Sequence, residues 1–205
     1  MKASKVTSTR TPYHHGDAAE ALLQAAESLL DKQGLEALTL RAVARDAGLS
    51  HAAPKNHFGD LSGLLSELAA RGFWQLAANL DAARAGLNEA DAAMDAIARA
   101  YVDFAKSRPG LFLLMYRSER LDFNRPTLLQ AMQAAGQALS ATTNMRGQHA
   151  RNTQEALAPA VAAWSLVHGY AMLLVDKRLN PMLREIGGEN ADALLLDAVL
   201  ASVKK

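Results

Sequence analysis

The chain has 205 residues, half of them apolar and only 21% charged, and its formal net charge is +1. This composition supplies enough apolar material for a hydrophobic core and indicates a globular protein. Because the sequence has no cysteine, disulfide bonds and thiolate metal sites are excluded, and a reducing cytoplasm is compatible with it. We expect no secretory signal, since the first fifteen residues lack an apolar stretch, and no membrane span, since the apolar stretches 111–116 and 170–175 are too short. The expected location is the cytoplasm, without a membrane partner.

The amino-terminal tail carries Lys2, Lys5 and Arg10 among serines and threonines, and no acidic residue precedes Asp17. It is interpreted as a basic arm, although an ordinary terminal tail has the same composition. Beyond the tail, glycine and proline are scarce while alanine and leucine dominate, and no alternating apolar pattern occurs. These features predict an all-α protein.

The first half of the sequence predicts four helices with polar residues at their starts. Asp17 and Glu20 have the spacing of a capping box, and Thr39 and Ser50 precede two short helices. Asp60 or Ser62 is expected to cap the long fourth helix, in which Gly72 is predicted to mark a bend. The predicted ranges are 17–33, 39–47, 50–57 and 60–85.

The second half of the sequence predicts longer and more apolar helices. Residues 108–110 break the chain before the apolar stretch 111–116, residues 145–153 are predicted to form a polar loop, and Asn180-Pro181 is predicted to be a connector. The predicted helices cover 89–107, 126–144, 154–179 and 190–203.

Residues 39–58 have the pattern of a helix-turn-helix. Ala44 is small enough for two helices to touch, and Gly48 accommodates the positive φ of a tight turn. Leu40, Val43, Leu49 and Phe58 would seal this unit against the first helix, leaving the outer face of the third helix exposed. The spacing alone is equally compatible with two short helices in any all-α protein.

Residues 13–65 resemble the amino-terminal domain of the TetR family of bacterial transcription regulators. The resemblance is carried by Tyr13 to Asp17, Gly34 to Thr39, the Ala44 and Gly48 turn, and His57-Phe58 before a long helix. Trp164 to Gly169 is similar to the Trp…His-Gly signature of one subgroup of TetR regulatory domains. The resemblance implies a helix-turn-helix domain with a basic arm over residues 1–60 and a helical ligand-binding and dimerisation domain over residues 61–205.

The resemblance also implies which residues contact DNA. Thr39 and the start of the second helix would touch phosphate, and the positions of His51, Ala52 and Asn56 would read base edges, where asparagine can pair with adenine and the alanine methyl can meet the thymine methyl. Lys55 stands where the family usually has a tyrosine, and Leu61 stands where it usually has a lysine. Thr39 and Ser50 are equally expected to act only as helix caps. The full set of predicted DNA contacts is Lys5, Arg10, Thr39, Arg41, Ser50, His51, Ala52, Lys55, Asn56 and His57.

Large aromatic and methionine residues in the second half together suggest an apolar ligand pocket between helices, although for each of them alone a packed core is the better interpretation. Trp164 and His168 lie one helical turn apart on one face. The predicted ligand-binding residues are Trp74, Tyr101, Phe104, Phe112, Met115, Tyr116, Met132, Trp164 and His168.

Two apolar helix faces predict a two-fold dimer interface, a geometry that the resemblance also implies. One face lies on residues 154–179 and the other on residues 190–203. The predicted interface residues are Ala162, Leu166, Gly169, Leu173, Leu194, Leu195, Ala198 and Val199.

The predicted function is that of a ligand-responsive transcription regulator, a repressor that binds a palindromic operator as a dimer and is released by a small apolar or aromatic molecule. The alternative is a DNA-binding regulator without such an inducer, controlled by a protein partner or constitutive. An enzyme is not expected, because the six histidines are dispersed without an acidic partner at ligand spacing. No metal or other cofactor is predicted.

Overall fold

The computed structural model describes residues 15–141 and 152–203, and within these ranges all regular secondary structure is helical. The prediction of an all-α protein is therefore confirmed. The helices, numbered in chain order, are α1 His15–Gln33, α2 Leu40–Asp46, α3 Ala53–Phe58, α4 Leu61–Arg84, α5 Ala90–Ser107, α6 Pro109–Met115, α7 Pro126–Ser140, α8 Thr153–Val175, α9 Asn180–Ile186 and α10 Ala191–Ser202. Short 3-10 turns cover Leu35–Ala37 and Ser118–Arg120.

Two of the four caps expected in the amino-terminal part are present. The expectation that Asp17 caps α1 is wrong, because α1 already begins at His15. Thr39 Oγ1 accepts the amide of Ala42 at 3.1 Å, and Asp60 Oδ1 accepts the amide of Gly63 at 2.8 Å. The expectation that Ser50 caps α3 is wrong, because α3 begins three residues later, at Ala53. The backbone carbonyl of Ser50 accepts a hydrogen bond from the Ala53 amide at 3.0 Å. A capping Ser50 hydroxyl would have accepted a hydrogen bond from that same amide.

The carboxy-terminal helices differ from the prediction at one junction. The helix expected over 154–179 ends at Val175, and Asn180-Pro181 starts α9 instead of forming a connector. Proline is well tolerated in a first helical turn, where its missing amide would have had no intrahelical partner. Lys177, with a φ of 61°, lies in the turn between the two helices. Residues 142–151, including most of the predicted polar loop, lie outside the described ranges.

Gly72 allows α4 and α6 to approach each other closely, and α4 continues through it as one helix. A Cβ atom at this position would lie 2.7 Å from Met115 Sδ and 3.0 Å from Leu111 Cγ. The structure thus places this glycine at a tight helix crossing, and the predicted bend stays a prediction.

Helix α4 is the central element, since it packs against α1, α3, α5, α6 and α7. A single hydrophobic cluster includes Leu30 and Phe58 from the amino-terminal helices, Leu68 of α4, Leu128 of α7 and Leu196 of α10. Ion pairs add to the attachment of α1, because Glu27 pairs with Arg71 of α4 and with Arg108 at the start of α6. The core thus continues across residue 60, and the division of the chain at that residue remains a prediction.

Helix α8 is long and apolar enough to cross a membrane by length and composition, and only 17% of its most apolar window is buried. The expectation that the apolar stretches are too short to span a membrane does not hold for α8, because its apolar residues do not form one uninterrupted run. In α8 small and aromatic residues are interspersed with the aliphatic ones. One such helix is weak evidence for a membrane, and its physical consequence here is an exposed apolar face.

Candidate DNA interface and effector cavity

Helices α2 and α3 meet at a tight turn whose geometry matches the sequence prediction. Gly48 has a φ of 66°, a conformation that side chains rarely adopt. The amide of Leu49 donates to the carbonyl of Ala44 at 2.9 Å, which closes the turn over a fully buried alanine. Val43 and Phe58 are also buried, so the inner faces of both helices are fixed against α1 and α4.

The outer face of this unit is polar and exposed. Arg41, His51, Ala52, Lys55 and Asn56 are exposed, whereas His57 is half-buried, with its ring centroid 6.2 Å from that of Phe58. Among the described residues neither Arg41 nor Lys55 has an acidic partner within ion-pair distance. Two cations and an amide are therefore exposed on α2 and α3, a combination suited to phosphate and base contacts.

The remaining predicted DNA contacts lie at the margins of this face. Thr39 and Ser50 are exposed, and the Thr39 side chain is engaged in capping α2. Leu61 is half-buried at the start of α4, and the nearby amide of Gly63 already donates to Asp60. That amide is therefore not available to replace the phosphate contact of the lysine that the family usually has here. Lys5 and Arg10 lie outside the described residues.

A cavity of about 410 Å³ lies between helices α4 to α8. Five of the predicted ligand residues line it, namely Tyr101, Met115, Tyr116, Met132 and Trp164. The lining residues that sequence reasoning missed are Phe73, Leu76, Ser118, Phe123, Ala135, Gly136, Leu139, Ser140, Ala160 and Val161. The walls are mainly aromatic and aliphatic, as in sites for small apolar molecules.

Four predicted ligand residues are not part of this lining. Trp74 is 49% exposed on the outer side of α4, and Phe104 is buried away from the cavity. Phe112 lies behind the wall, with its ring centroid 5.2 Å from that of Tyr116. His168 also lies behind the wall, 4.3 Å from the Tyr116 ring between centroids. The apolar repeat of α4 at Leu65, Leu68, Gly72, Phe73 and Leu76 would have pointed to Phe73 in place of its neighbour Trp74.

Three polar side chains form a hydrogen-bonded cluster at the cavity wall. The hydroxyl of Tyr101 lies 2.7 Å from that of Tyr116 and 2.9 Å from Nδ1 of His168. Burial raises the pKa of Tyr101 to about 12 and raises the pKa of Tyr116 well above its usual range. Burial also lowers the pKa of His168. The cluster is therefore uncharged at neutral pH.

Residues 115–125, here named the linking segment, join the cavity to α3. Met115, Tyr116, Ser118 and Phe123 line the cavity. At the other end of the segment, the guanidinium of Arg125 donates to the carbonyl of Phe58, the last residue of α3.

Further contacts hold the linking segment on α4. Arg125 pairs with Glu67 at 3.2 Å. The fully buried Ser66 accepts the amide of Asp122 at 2.8 Å and donates to the carbonyl of Ser62 at 2.7 Å. Arg120 also reaches Glu36, in the turn that precedes α2, at 3.0 Å. The segment therefore contacts the chain just before α2 and again at the end of α3.

The predicted dimer residues lie on apolar surfaces of α8 and α10. Leu173 is 42% exposed and Leu194 is 58% exposed, while Ala162 and Ala198 are also exposed. The other four predicted residues, Leu166, Gly169, Leu195 and Val199, are half-buried. A single chain leaves this apolar surface in water.

Two short helices joined by a glycine turn, with exposed cations and an amide, form a helix-turn-helix unit. Two family models match the chain: bacterial regulatory proteins of the tetR family over residues 22–68, and the tetracyclin repressor-like carboxy-terminal domain over residues 94–198. The protein belongs to the TetR family and is a DNA-binding transcription regulator, not an enzyme.

Known proteins share both the sequence and the fold. An uncharacterised HTH-type transcriptional regulator of Mycobacterium tuberculosis is 25% identical over 88% of this chain and 78% of that protein. A protein of unknown function from a Rhodococcus species is 33% identical, with a TM-score of 0.72 over 94% of this chain and 98% of that one. The TetR family regulator PfmR of Thermus thermophilus shares the fold at 20% identity, with a TM-score of 0.59 over 88% and 97% of the two chains.

Proposed function

We propose that the protein is a ligand-responsive repressor that binds a palindromic operator as a dimer and is released when a small apolar or aromatic molecule occupies the cavity. The observation that carries this proposal is the linking segment, because the same short stretch lines the cavity and bonds the end of α3. The cavity wall is therefore connected to α3 through the linking segment and the bond from Arg125 to Phe58.

In the proposed complex, α3 lies in the major groove. Lys55 neutralises a phosphate, and Arg41 contacts a phosphate or a base. His51, Ala52 and Asn56 face the base edges. This assignment is supported by the exposure of all five side chains.

Release follows from a difference in ligand affinity between two positions of the helix-turn-helix unit. An occupant pressing on Tyr116 and Phe123 shifts the linking segment, and Arg125 transmits this shift to Phe58 and to α4. The ligand favours the shifted arrangement only to the extent that it binds that arrangement more tightly. In a dimer, the shift alters the spacing of two reading helices that must match two half-sites.

Dimerisation is proposed through α8 and α10, which together would form a four-helix interface with the same helices of a second copy. The exposed apolar side chains on these helices support this arrangement.

The test begins with selection of binding duplexes from a randomised pool by the full chain. We expect the selected sites to have two-fold symmetry. Aromatic and aliphatic compounds are then tested for an increase in the melting temperature, which reports binding to the folded state. Compounds that raise this temperature should weaken affinity for the selected duplex. Stabilising compounds that leave duplex affinity unchanged would favour the alternative regulator without a small-molecule inducer.

A further inference from the structure

The described wall of the cavity carries no charged side chain. None of the described residues that line it is an aspartate, glutamate, lysine or arginine. An ion transferred into such a site loses its hydration without gaining a counter-charge, which disfavours carboxylate, phosphate and ammonium groups. The lack of charge therefore favours an uncharged occupant.

Tyr116 is one of the polar side chains in this wall, together with Tyr101, Trp164, Ser118 and Ser140. If Tyr101 donates to Nδ1 of His168, Tyr116 donates to Tyr101 and its oxygen keeps a lone pair for a ligand donor. If His168 instead donates to Tyr101, then Tyr101 donates to Tyr116, whose own proton is left for a ligand acceptor. In both arrangements the Tyr116 hydroxyl keeps one hydrogen-bonding position beyond Tyr101. The Trp164 side chain also interacts with this hydroxyl, and both residues line the cavity.

We propose that the effector is an uncharged, mostly apolar molecule with one hydroxyl or carbonyl group, and that this group bonds the hydroxyl of Tyr116. Tyr101 and His168 act as positioning residues, since they orient the Tyr116 hydroxyl. The proposal rests on the proposed function only in assuming that the cavity binds a ligand.

The test uses three probes with the same apolar body: 4-biphenylmethanol, biphenyl-4-carboxylate and protonated 4-biphenylmethylamine. Their dissociation constants for the full chain are measured by titration calorimetry at neutral pH. The neutral alcohol should bind at least about tenfold more tightly than either ion, a difference of about 1.4 kcal/mol. Equal or tighter binding of an ion would overturn this inference but leave the proposed function in place. Failure of all three probes to bind would overturn the ligand site itself, and with it the proposed function.

Two tyrosine variants locate the polar contact. Tyr116→Phe removes the hydroxyl and keeps the ring, so it should weaken binding of 4-biphenylmethanol by about 5–10-fold, as expected for one net hydrogen bond. Tyr170→Phe is the matched control, because that hydroxyl donates to the carbonyl of Asp192 outside the cavity. It should leave the dissociation constant unchanged. An unchanged constant in Tyr116→Phe, or equal losses in both variants, would overturn the assignment.

Discussion

Lys55 and Asn56 are adjacent and exposed on α3, but their side chains are separated by about 100° around the helix axis. We therefore expect different defects when each is replaced. Lys55→Ala should weaken binding to all duplexes alike. It should also lower the slope of log affinity against log salt concentration by about one unit per subunit. Asn56→Ala should cost about 1–3 kcal/mol on the selected duplex and little on random DNA.

Titrations of both variants at several salt concentrations separate these outcomes. If Lys55→Ala abolished sequence preference while sparing binding to random DNA, the orientation of α3 in the groove would have to be revised. The base-reading roles proposed for His51 and Ala52 would then be lost as well.

Gly63 is required by the crowding between α3, α4 and Arg125. A Cβ atom there would lie 2.1 Å from the carbonyl oxygen of Phe58 and 2.2 Å from an Arg125 nitrogen. Gly63→Ala should therefore lower the free energy of unfolding by about 1–3 kcal/mol, as in other overpacked sites. Gly136→Ala on α7 is the control, because nothing lies within 4 Å of its added methyl and helix propensity should raise stability by about 0.5–1 kcal/mol. Urea unfolding of both variants measures the difference, and similar effects would contradict the crowding argument.

At the scale of elements, the linking segment should carry the response to ligand. Arg125→Ala removes the bond to Phe58 without altering the cavity lining, so 4-biphenylmethanol should bind as before but no longer weaken binding to the selected duplex. Arg84→Ala is the control, since Arg84 forms an exposed pair with Asp81 on the same helix α4. Duplex affinity is measured with and without the probe. A full ligand response in Arg125→Ala would exclude this route of coupling.

The helices themselves were largely predictable from local sequence signals. Thr39 and Asp60 cap α2 and α4 as expected, because a capping side chain needs only an amide three residues away. Ser50 has the same local signal, but residues 51 and 52 form a turn before α3. The sequence predicts a connector at Pro181, whereas this proline occupies a first helical turn, where it is tolerated.

The cavity and its connection to α3 were less predictable, because they depend on contacts between distant parts of the chain. Helical periodicity would have favoured Phe73 over Trp74, but Phe123 lies between helices, where no periodicity marks it. Arg125 resembles any surface cation in the sequence, and only the fold brings it to a carbonyl 67 residues away.

For the whole molecule, we expect a dimer in the absence of DNA. Leu194→Asp places a charge on a side chain that is 58% exposed on α10, so it should produce monomers with weak duplex affinity. Leu129→Asp is the control, because Leu129 is 48% exposed on α7, outside the proposed interface. Sedimentation analysis gives the mass of each variant. A wild-type monomer at micromolar concentration, or a dimeric Leu194→Asp variant, would argue against this interface.

The bond between Arg125 and Phe58 limits how this protein can be recombined with its relatives. Consider a hybrid that joins residues 1–60 of this protein to the regulatory domain of a relative. It would keep α3 but lose Arg125 and the α6 surface against which α1 packs. The grafted unit would then present an unbonded Phe58 carbonyl and uncovered apolar side chains to a foreign bundle. A working exchange therefore has to transfer the linking segment and the first turns of α4 together with the reading helix.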